Sequence, residues 1–336
     1  YRILVSGDAE LVEAGTGDMW DSGRIEGDEN VSVSYKGKAL MPRKRYYFLI
    51  MAWNRTGEMA KGKAGFFETG KLDEPWQAKW ISAPFLKMDK TDAKAPYLRR
   101  EFSIRGRVKD ARLYICGLGY YEAFIEGKKI SDHLLEPAFT KYVTMSYYRT
   151  YDVAGYLPEE GKAALGVVLG NGWYNCITED AWNIRQAGWR SVPKLLCELH
   201  LTYEDGRQEC ICSDKGWKTS TGPIIFNSIR NGEHYDARLE IEGWNQSGYL
   251  EKGWENAQVV RGAGGKLQAA EMQPVKVMQE IVPVSYYRTK EGNWIFDLGQ
   301  NFAGKVRLTA YGAAGAEITL RYSEDLTGDG EHVEQE

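Results

Sequence analysis

Ala111-Arg-Leu-Tyr-Ile-Cys-Gly-Leu-Gly-Tyr-Tyr-Glu122 is the stretch that decides the fold class. Ala111-Arg-Leu-Tyr-Ile115 is a short run of β-forming residues. A second run, Tyr121–Ile125, follows almost at once. No helical pattern follows Gly117-Leu-Gly119, so that string is not a phosphate loop. Outward from here the same alternation of short runs and breaks recurs. Glu126-Gly127 is a hairpin turn joining Tyr121–Ile125 to the next strand. Asn30–Tyr35, Tyr97–Phe102, Ala164–Leu169 and Leu195–Tyr203 read as further strands. Glu204-Asp205-Gly206 turns the last of these into Gln208–Ser213, and Ala313-Ala-Gly315 is a looser turn of the same kind. No window of ~11 residues carries apolar positions at helical spacing with a clean polar face. The pattern predicts an all-β chain built of tandem sandwiches.

Composition narrows the function classes. The 336 residues hold 43 Lys+Arg against 47 Asp+Glu, a net charge of −4, which argues against a nucleic-acid partner. The longest apolar run, Tyr46–Trp53, falls far short of the ~18 residues of a membrane-spanning helix. Eleven Trp, 21 Tyr and 37 Gly suit turn-rich sheets or sugar-handling surfaces. Cys116, Cys176, Cys197, Cys210 and Cys212 are odd in number, and no Cys-x-x-Cys occurs. Spacing therefore predicts buried free thiols rather than a zinc site, which suits a reducing compartment. Cys210 and Cys212 would share one face of a strand. The pentapeptide Ser-Tyr-Tyr-Arg-Thr occurs at 146–150 and again at 285–289, with unlike flanks and no longer period.

Three segments are expected: 1–72, 76–273 and 274–336. The first ends at the proline-terminated linker Lys71-Leu-Asp-Glu-Pro75, and the second trails into the glycine-rich Arg261-Gly-Ala-Gly-Gly265. The chain starts on a strand-like run and stops at Gly330–Glu336 with no closing signal, which reads as a fragment.

Leu40-x-Pro42-x-x-x-Tyr46-x-Phe48-x-Ile50-x-Ala52-x-Asn54-x-x-Gly57 resembles the E–F region of a fibronectin type III domain. That likeness makes Tyr46 the corner tyrosine. The opposite face, Tyr47, Leu49, Met51 and Trp53, is also apolar, so the strand is expected to be covered on both sides. It also implies that the first strands of this sandwich are missing.

The second segment carries Trp76-x-Ala78-x-Trp80-Ile81, Leu98–Phe102, Ala111–Glu122, Tyr151-Asp-Val153, Leu165–Tyr174, Gly232-Glu-His-Tyr-Asp-Ala-Arg238 and Gly243-Trp244. In that order they resemble the N-terminal domain of bacterial α-L-rhamnosidases, glycoside hydrolase family 78. Phe296–Gly304 and Thr319–Glu324 are similar to the next β-domain of those enzymes. Lys128, Ala154 and Ser228-Ile-Arg230 depart from the pattern. The resemblance implies a fibronectin III-like sandwich, then a jelly-roll or galactose-binding-like one, then the start of a third.

It also implies inverting hydrolysis of terminal α-L-rhamnose by two carboxylates ~6.5–9.5 Å apart. Those carboxylates would be supplied by an (α/α)6 helical barrel that this sequence does not contain. No Asp-x-Pro-x-Arg-x-Glu-Arg motif and no Gly-x-Ser-x-Gly elbow is present, so no catalytic residue is assigned.

A sugar site is the sharper expectation, since an aromatic face under a pyranose and planar polar groups beside it recognise sugars. Asn171, Trp173 and Tyr174 offer both at a glycine-bent loop. Trp182, Trp189 and Arg190 follow in the loop-like stretch Cys176–Arg190. Glu122 and Asp236 could add ligands for hydroxyls or a cation. Some domains of this type in the family bind rhamnose with calcium assisting, so calcium is the one ion implied. The implied partners are rhamnose-containing glycans or glycosides and the missing barrel. Two rival readings stand beside this one: a stand-alone carbohydrate-binding module and a cell-surface adhesin of tandem sandwiches.

Overall fold

A computed structural model describes residues 1–27, 31–88, 93–178 and 182–328. They divide into two compact units, Tyr1–Pro274 and Val275–Glu336. Asn30 and Gly330–Glu336 lie outside the described residues.

The first sheet joins β1 (Arg2–Ser6), β2 (Trp20–Asp21), β3 (Arg45–Trp53), β4 (Met59–Lys61) and β5 (Gly65–Glu68). Its order is β2-β1-β3-β4, with β5 also paired to β3. Leu4 faces Leu49 across the β1–β3 ladder. A one-turn helix, α1 (Ala9–Glu13), is capped by the Asp8 carboxylate and lays Val12 on this sheet. Sequence reading missed α1, because five residues are too few to show a period. Leu4, Val12, Leu49 and Met51 form the core, with Tyr47, Trp53 and Ala64 packed on it.

The expectation that β3 is covered on both sides is corrected. The Tyr47–Trp53 face meets α1, whereas Ile50 is 44% exposed and Ala52 faces solvent. Tyr46 does tie down the preceding loop, its hydroxyl accepting from the Met41 N–H at 2.8 Å. Val31–Tyr35 is not a strand either. Its alternating valines are exposed or half-exposed, with no neighbouring ladder to bury them.

The middle of the chain forms a two-sheet sandwich. Its strands are β6 (Ile81–Ser82), β7 (Pro96–Ile104), β8 (Val108–Leu118), β9 (Tyr120–Ile125), β10 (Lys128–Lys129), β11 (Met145–Asp152), β12 (Gly161–Gly170), β13 (Lys194–Tyr203), β14 (Gln208–Cys212) and β15 (Lys218–Thr221). After the hairpin β16 (Ile224–Ser228) and β17 (Gly232–Tyr235) come β18 (Glu255–Asn256), β19 (Gln258–Val259) and β20 (Lys266–Ala269). One sheet runs β10-β9-β12-β7-β15-β18. The other runs β19-β6-β13-β8-β11-β20, with β14 added on β13. Their inner faces bury Leu98, Leu113, Ile115, Leu165, Val167, Leu199 and Trp217 in one core.

Arg99 anchors the segment that follows this core. Its guanidinium donates to the carbonyls of Trp244 at 2.8 Å and Gln246 at 3.0 Å and pairs with Glu251. The first sheet is joined to the sandwich through Glu68, which takes two 2.8 Å bonds from Arg112, and through Lys71, which pairs with Glu198 of β13.

In Val275–Glu336 the described residues form one hairpin, β21 (Ser285–Arg288) with β22 (Trp294–Asp297). Ala316 N–H donates to Ala313 C=O, closing the expected turn, but Thr319–Glu324 is not a strand.

Candidate functional site

β12 delivers the chain into the loop that the sequence singles out. Two glycines make that entry possible. Gly119 has φ +108°, and a Cβ there would lie 2.1 Å from the Gly170 carbonyl oxygen. Gly172 has φ +50° and lies against the Tyr120 ring.

Asn171 is buried and fully bonded. Its amide nitrogen donates to the carbonyls of Ala93 at 2.9 Å and Asn227 at 3.0 Å. Its oxygen accepts from Asn175 at 2.6 Å, and its backbone N–H donates to Asn227 Oδ1. Asn175 in turn accepts from Arg190 Nε at 3.1 Å. Asn171, Asn175, Asn227 and Arg190 therefore form one internal network that fixes the loop to hairpin β16–β17. Desolvation lowers the Arg190 pKa.

Tyr174 is also internal. It packs edge-on to Tyr142 at 5.1 Å, and burial pushes its hydroxyl up to about 12. Trp189 is half-buried against Cys176 and Ile184, together with Trp173 and Ile229.

The outward surface belongs to other rings. Trp182 is 78% exposed. Its ring lies 6.1 Å from that of Trp173, inclined by 33°. Phe139 stands 5.8 Å from Trp173 on the same wall and is about half exposed. Phe139 was not foreseen; it follows Glu136-Pro137 with no sugar-site signature around it.

The two acids separate. Glu122 is exposed on β9, opposite Val168 of β12, and its carboxylate accepts from Lys129 at 2.6 Å. Glu233, opposite Asn227 in the hairpin, lies within range of Glu122. Partial burial and the charge of Glu122 both push the Glu233 carboxyl upward. Asp236 sits at the base of the hairpin, at the far end from Ile229. There it caps a single 3-10 turn and pairs with Arg238 at 2.6 Å. The hydrogen bond from Arg238 lowers its pKa. The predicted residues thus form one loop cluster of Asn171, Trp173, Tyr174, Trp189 and Arg190, with Glu122 and Asp236 outside it. A shallow groove of about 360 Å3 lined by Arg100, Glu101, Gly216, Tyr249, Leu250 and Glu251 shares none of them.

Comparison with known proteins places these features. Residues 106–279 match the family model described as the alpha-L-rhamnosidase N-terminal domain. Residues 1–73 match a Rha78A-like N-terminal immunoglobulin domain, and residues 287–336 a bacterial alpha-L-rhamnosidase concanavalin-like domain. An alpha-L-rhamnosidase of Formosa agariphila is 33% identical over 99% of this chain and 37% of its own length. The solved alpha-L-rhamnosidase of Dictyoglumus thermophilum superposes with a TM-score of 0.78 at 35% identity, over 90% of this chain and 34% of that one. That of Streptomyces avermitilis, complexed with L-rhamnose, shares the fold with a TM-score of 0.85 at 22% identity, over 98% of this chain and 48% of that one. The chain spans between 28% and 37% of the length of the curated relatives it matches.

Proposed function

Because this chain belongs to the alpha-L-rhamnosidase family, through the β-domains of those proteins, we propose that it is a non-catalytic part of such an enzyme. In this reading the whole protein removes terminal α-L-rhamnose by inverting hydrolysis, and an (α/α)6 barrel supplies the acid and base. The β-domains brace that barrel and extend its substrate cleft. They divide as a fibronectin III-like sandwich over 1–72, the middle sandwich over 76–273 and a further β-domain over 274–336. Among the described residues the helices amount to α1 and three 3-10 turns, which supports a scaffold role for these residues.

The observation that carries a binding role is the wall of Trp182, Trp173 and Phe139 on a rigid network. An exposed tryptophan beside a second ring offers the apolar C–H face of a deoxy sugar a platform. Asn171, Tyr174, Trp189 and Arg190 act in this proposal by holding the loop. Glu122 with Glu233 supplies oxygen for a hydroxyl or calcium. Asp236 joins only through a longer ligand.

Calorimetry of the chain with L-rhamnose, with and without calcium, tests the binding role. Heat at millimolar sugar that disappears in Trp182→Ala is the expected result. No heat in either buffer removes the binding role and leaves the scaffold. Release of nitrophenol from a nitrophenyl α-L-rhamnoside by this chain alone would overturn the non-catalytic reading.

A further inference from the structure

One cluster stands apart from the sugar loop. Glu198 and His200 of β13 lie opposite Cys212 and Cys210 of β14. Residues two apart on a strand share a face, so the four side chains form the corners of one small rectangle. His200 Nε2 is 2.8 Å from Glu198 Oε2 and 3.6 Å from Cys210 Sγ. Cys210 and Cys212 place their sulfurs 3.4 Å apart. One ligand atom each from Glu198, His200 and Cys210 all lie within 4.8 Å of one another. A tetrahedral zinc ion with Zn–S ≈ 2.3 Å and Zn–N ≈ 2.0 Å sets its ligand atoms roughly 3.3–3.8 Å apart. Glu198, His200 and Cys210 are close to that geometry, and Cys212 Sγ, 3.4 Å from Cys210 Sγ, joins them as fourth ligand by a turn of its side chain.

From this arrangement we propose that Cys210, Cys212, His200 and Glu198 form a site for one soft divalent cation of the zinc type. The ion takes the place between His200 Nε2 and Glu198 Oε2 that a proton holds in its absence. Binding releases the two thiol protons to solvent, the sulfurs bind as thiolates, and the neutral His200 ring carries its one proton on Nδ1 in place of Nε2. The outer shell is already built. Glu198 Oε1 accepts from the backbone N–H groups of Gln77 at 2.5 Å and Ala78 at 3.0 Å. Tyr114 stands edge-on to the His200 ring at 5.5 Å and fixes its plane.

Charge balances as well. Two thiolates and one carboxylate carry one negative charge more than the ion neutralises, and Lys71 Nζ, 2.5 Å from Glu198 Oε2, supplies the missing positive charge. Access is open, since Cys210 and Cys212 are half-exposed on a strand that pairs only with β13 among the described strands. The ligands join β13 to the added strand β14, and Lys71 brings in the linker from the first sheet, so the site is structural. Spacing missed it because Cys-x-Cys and His200 come together only through the hairpin register.

The test uses the full chain, stripped with a chelator and kept reduced with a phosphine. It is loaded with zinc, desalted and assayed for bound metal, and in parallel titrated with cobalt(II). One zinc per chain is expected, together with thiolate-to-cobalt charge transfer in the near ultraviolet and tetrahedral bands in the visible. Cys210→Ser combined with Cys212→Ser should abolish both while circular dichroism stays native. His200→Gln should lower zinc retention at least tenfold with both thiols present, which covers the case in which the double variant fails to fold. A wild-type chain that retains no zinc, or a cobalt adduct without thiolate bands, overturns the proposal. So does zinc retention unchanged in the folded double variant.

Discussion

Lys71→Met should destabilise this fold strongly. Lys71 is 1% exposed and Glu198 0%, so both charges are out of water. Glu198 Oε2 accepts from Lys71 Nζ at 2.5 Å and lies 2.8 Å from His200 Nε2, while Oε1 holds two backbone N–H groups. Burial raises the pKa of Glu198, but hydrogen bonds from His200, Lys71 and Ala78 overcome it and hold the group at about 2. The folded value thus lies below the unfolded one near 4.5. Its stabilisation is complete above the unfolded value and is lost as pH falls toward 2. The gap corresponds to about 3 kcal/mol. Removing one member of a buried pair costs about 3–5 kcal/mol, because the other charge stays buried without its partner.

Urea unfolding at pH 7 with a chelator present, followed by circular dichroism and by the summed fluorescence of the eleven tryptophans, should show that loss. The loss should narrow as pH falls from 7 toward 4, since the unpaired Glu198 can then take up a proton. Lys71→Met with Glu198→Gln should be more stable than Lys71→Met alone, because a glutamine still accepts from Gln77 and Ala78. A cost under about 1 kcal/mol, or costs that simply add in the double variant, would refute the reasoning.

Two further substitutions test the sandwich. Gly119→Ala places a Cβ 2.1 Å from the Gly170 carbonyl oxygen at a φ of +108°, so a loss of about 3 kcal/mol is expected in thermal unfolding. Trp217→Ala empties a fully buried site and leaves the Cys212 carbonyl without its indole donor at 3.0 Å; denaturant unfolding should show about 3–5 kcal/mol.

Strands and turns were legible wherever local chemistry decided them. The hairpin Glu126-Gly127 has φ +48° and +78°, the left-handed pair that such a turn requires, and Gly can supply it freely. The β13–β14 turn at Glu204–Gly206 is equally local. What the sequence could not show depends on partners distant along the chain. Val31–Tyr35 alternates like a strand yet lacks a neighbour, and alternation by itself makes no ladder. Which face of β3 is inside was ambiguous, because both faces are apolar and α1 is too short to announce itself.

The same limit separates the two kinds of residue in the loop proposed to bind sugar. Asn171 and Trp173 are neighbours in sequence and look equally suited to a ligand. Asn171 is turned inward by acceptors from Ala93 and Asn227, 78 and 56 residues away, so its polarity is satisfied by the fold itself. Trp173 is half-buried against Cys176 and Ile184 and, with the more exposed Trp182 and Phe139, makes the outer wall. A buried amide with every group paired is costly to pull out, whereas an exposed indole has apolar area still to bury. In the proposed binding role recognition falls to the rings, and the buried polar positions beside them set where the rings stand. A sugar that binds here should be discriminated by the shape of its apolar face more than by its hydroxyl pattern, so 6-deoxy sugars should outcompete their 6-hydroxy counterparts.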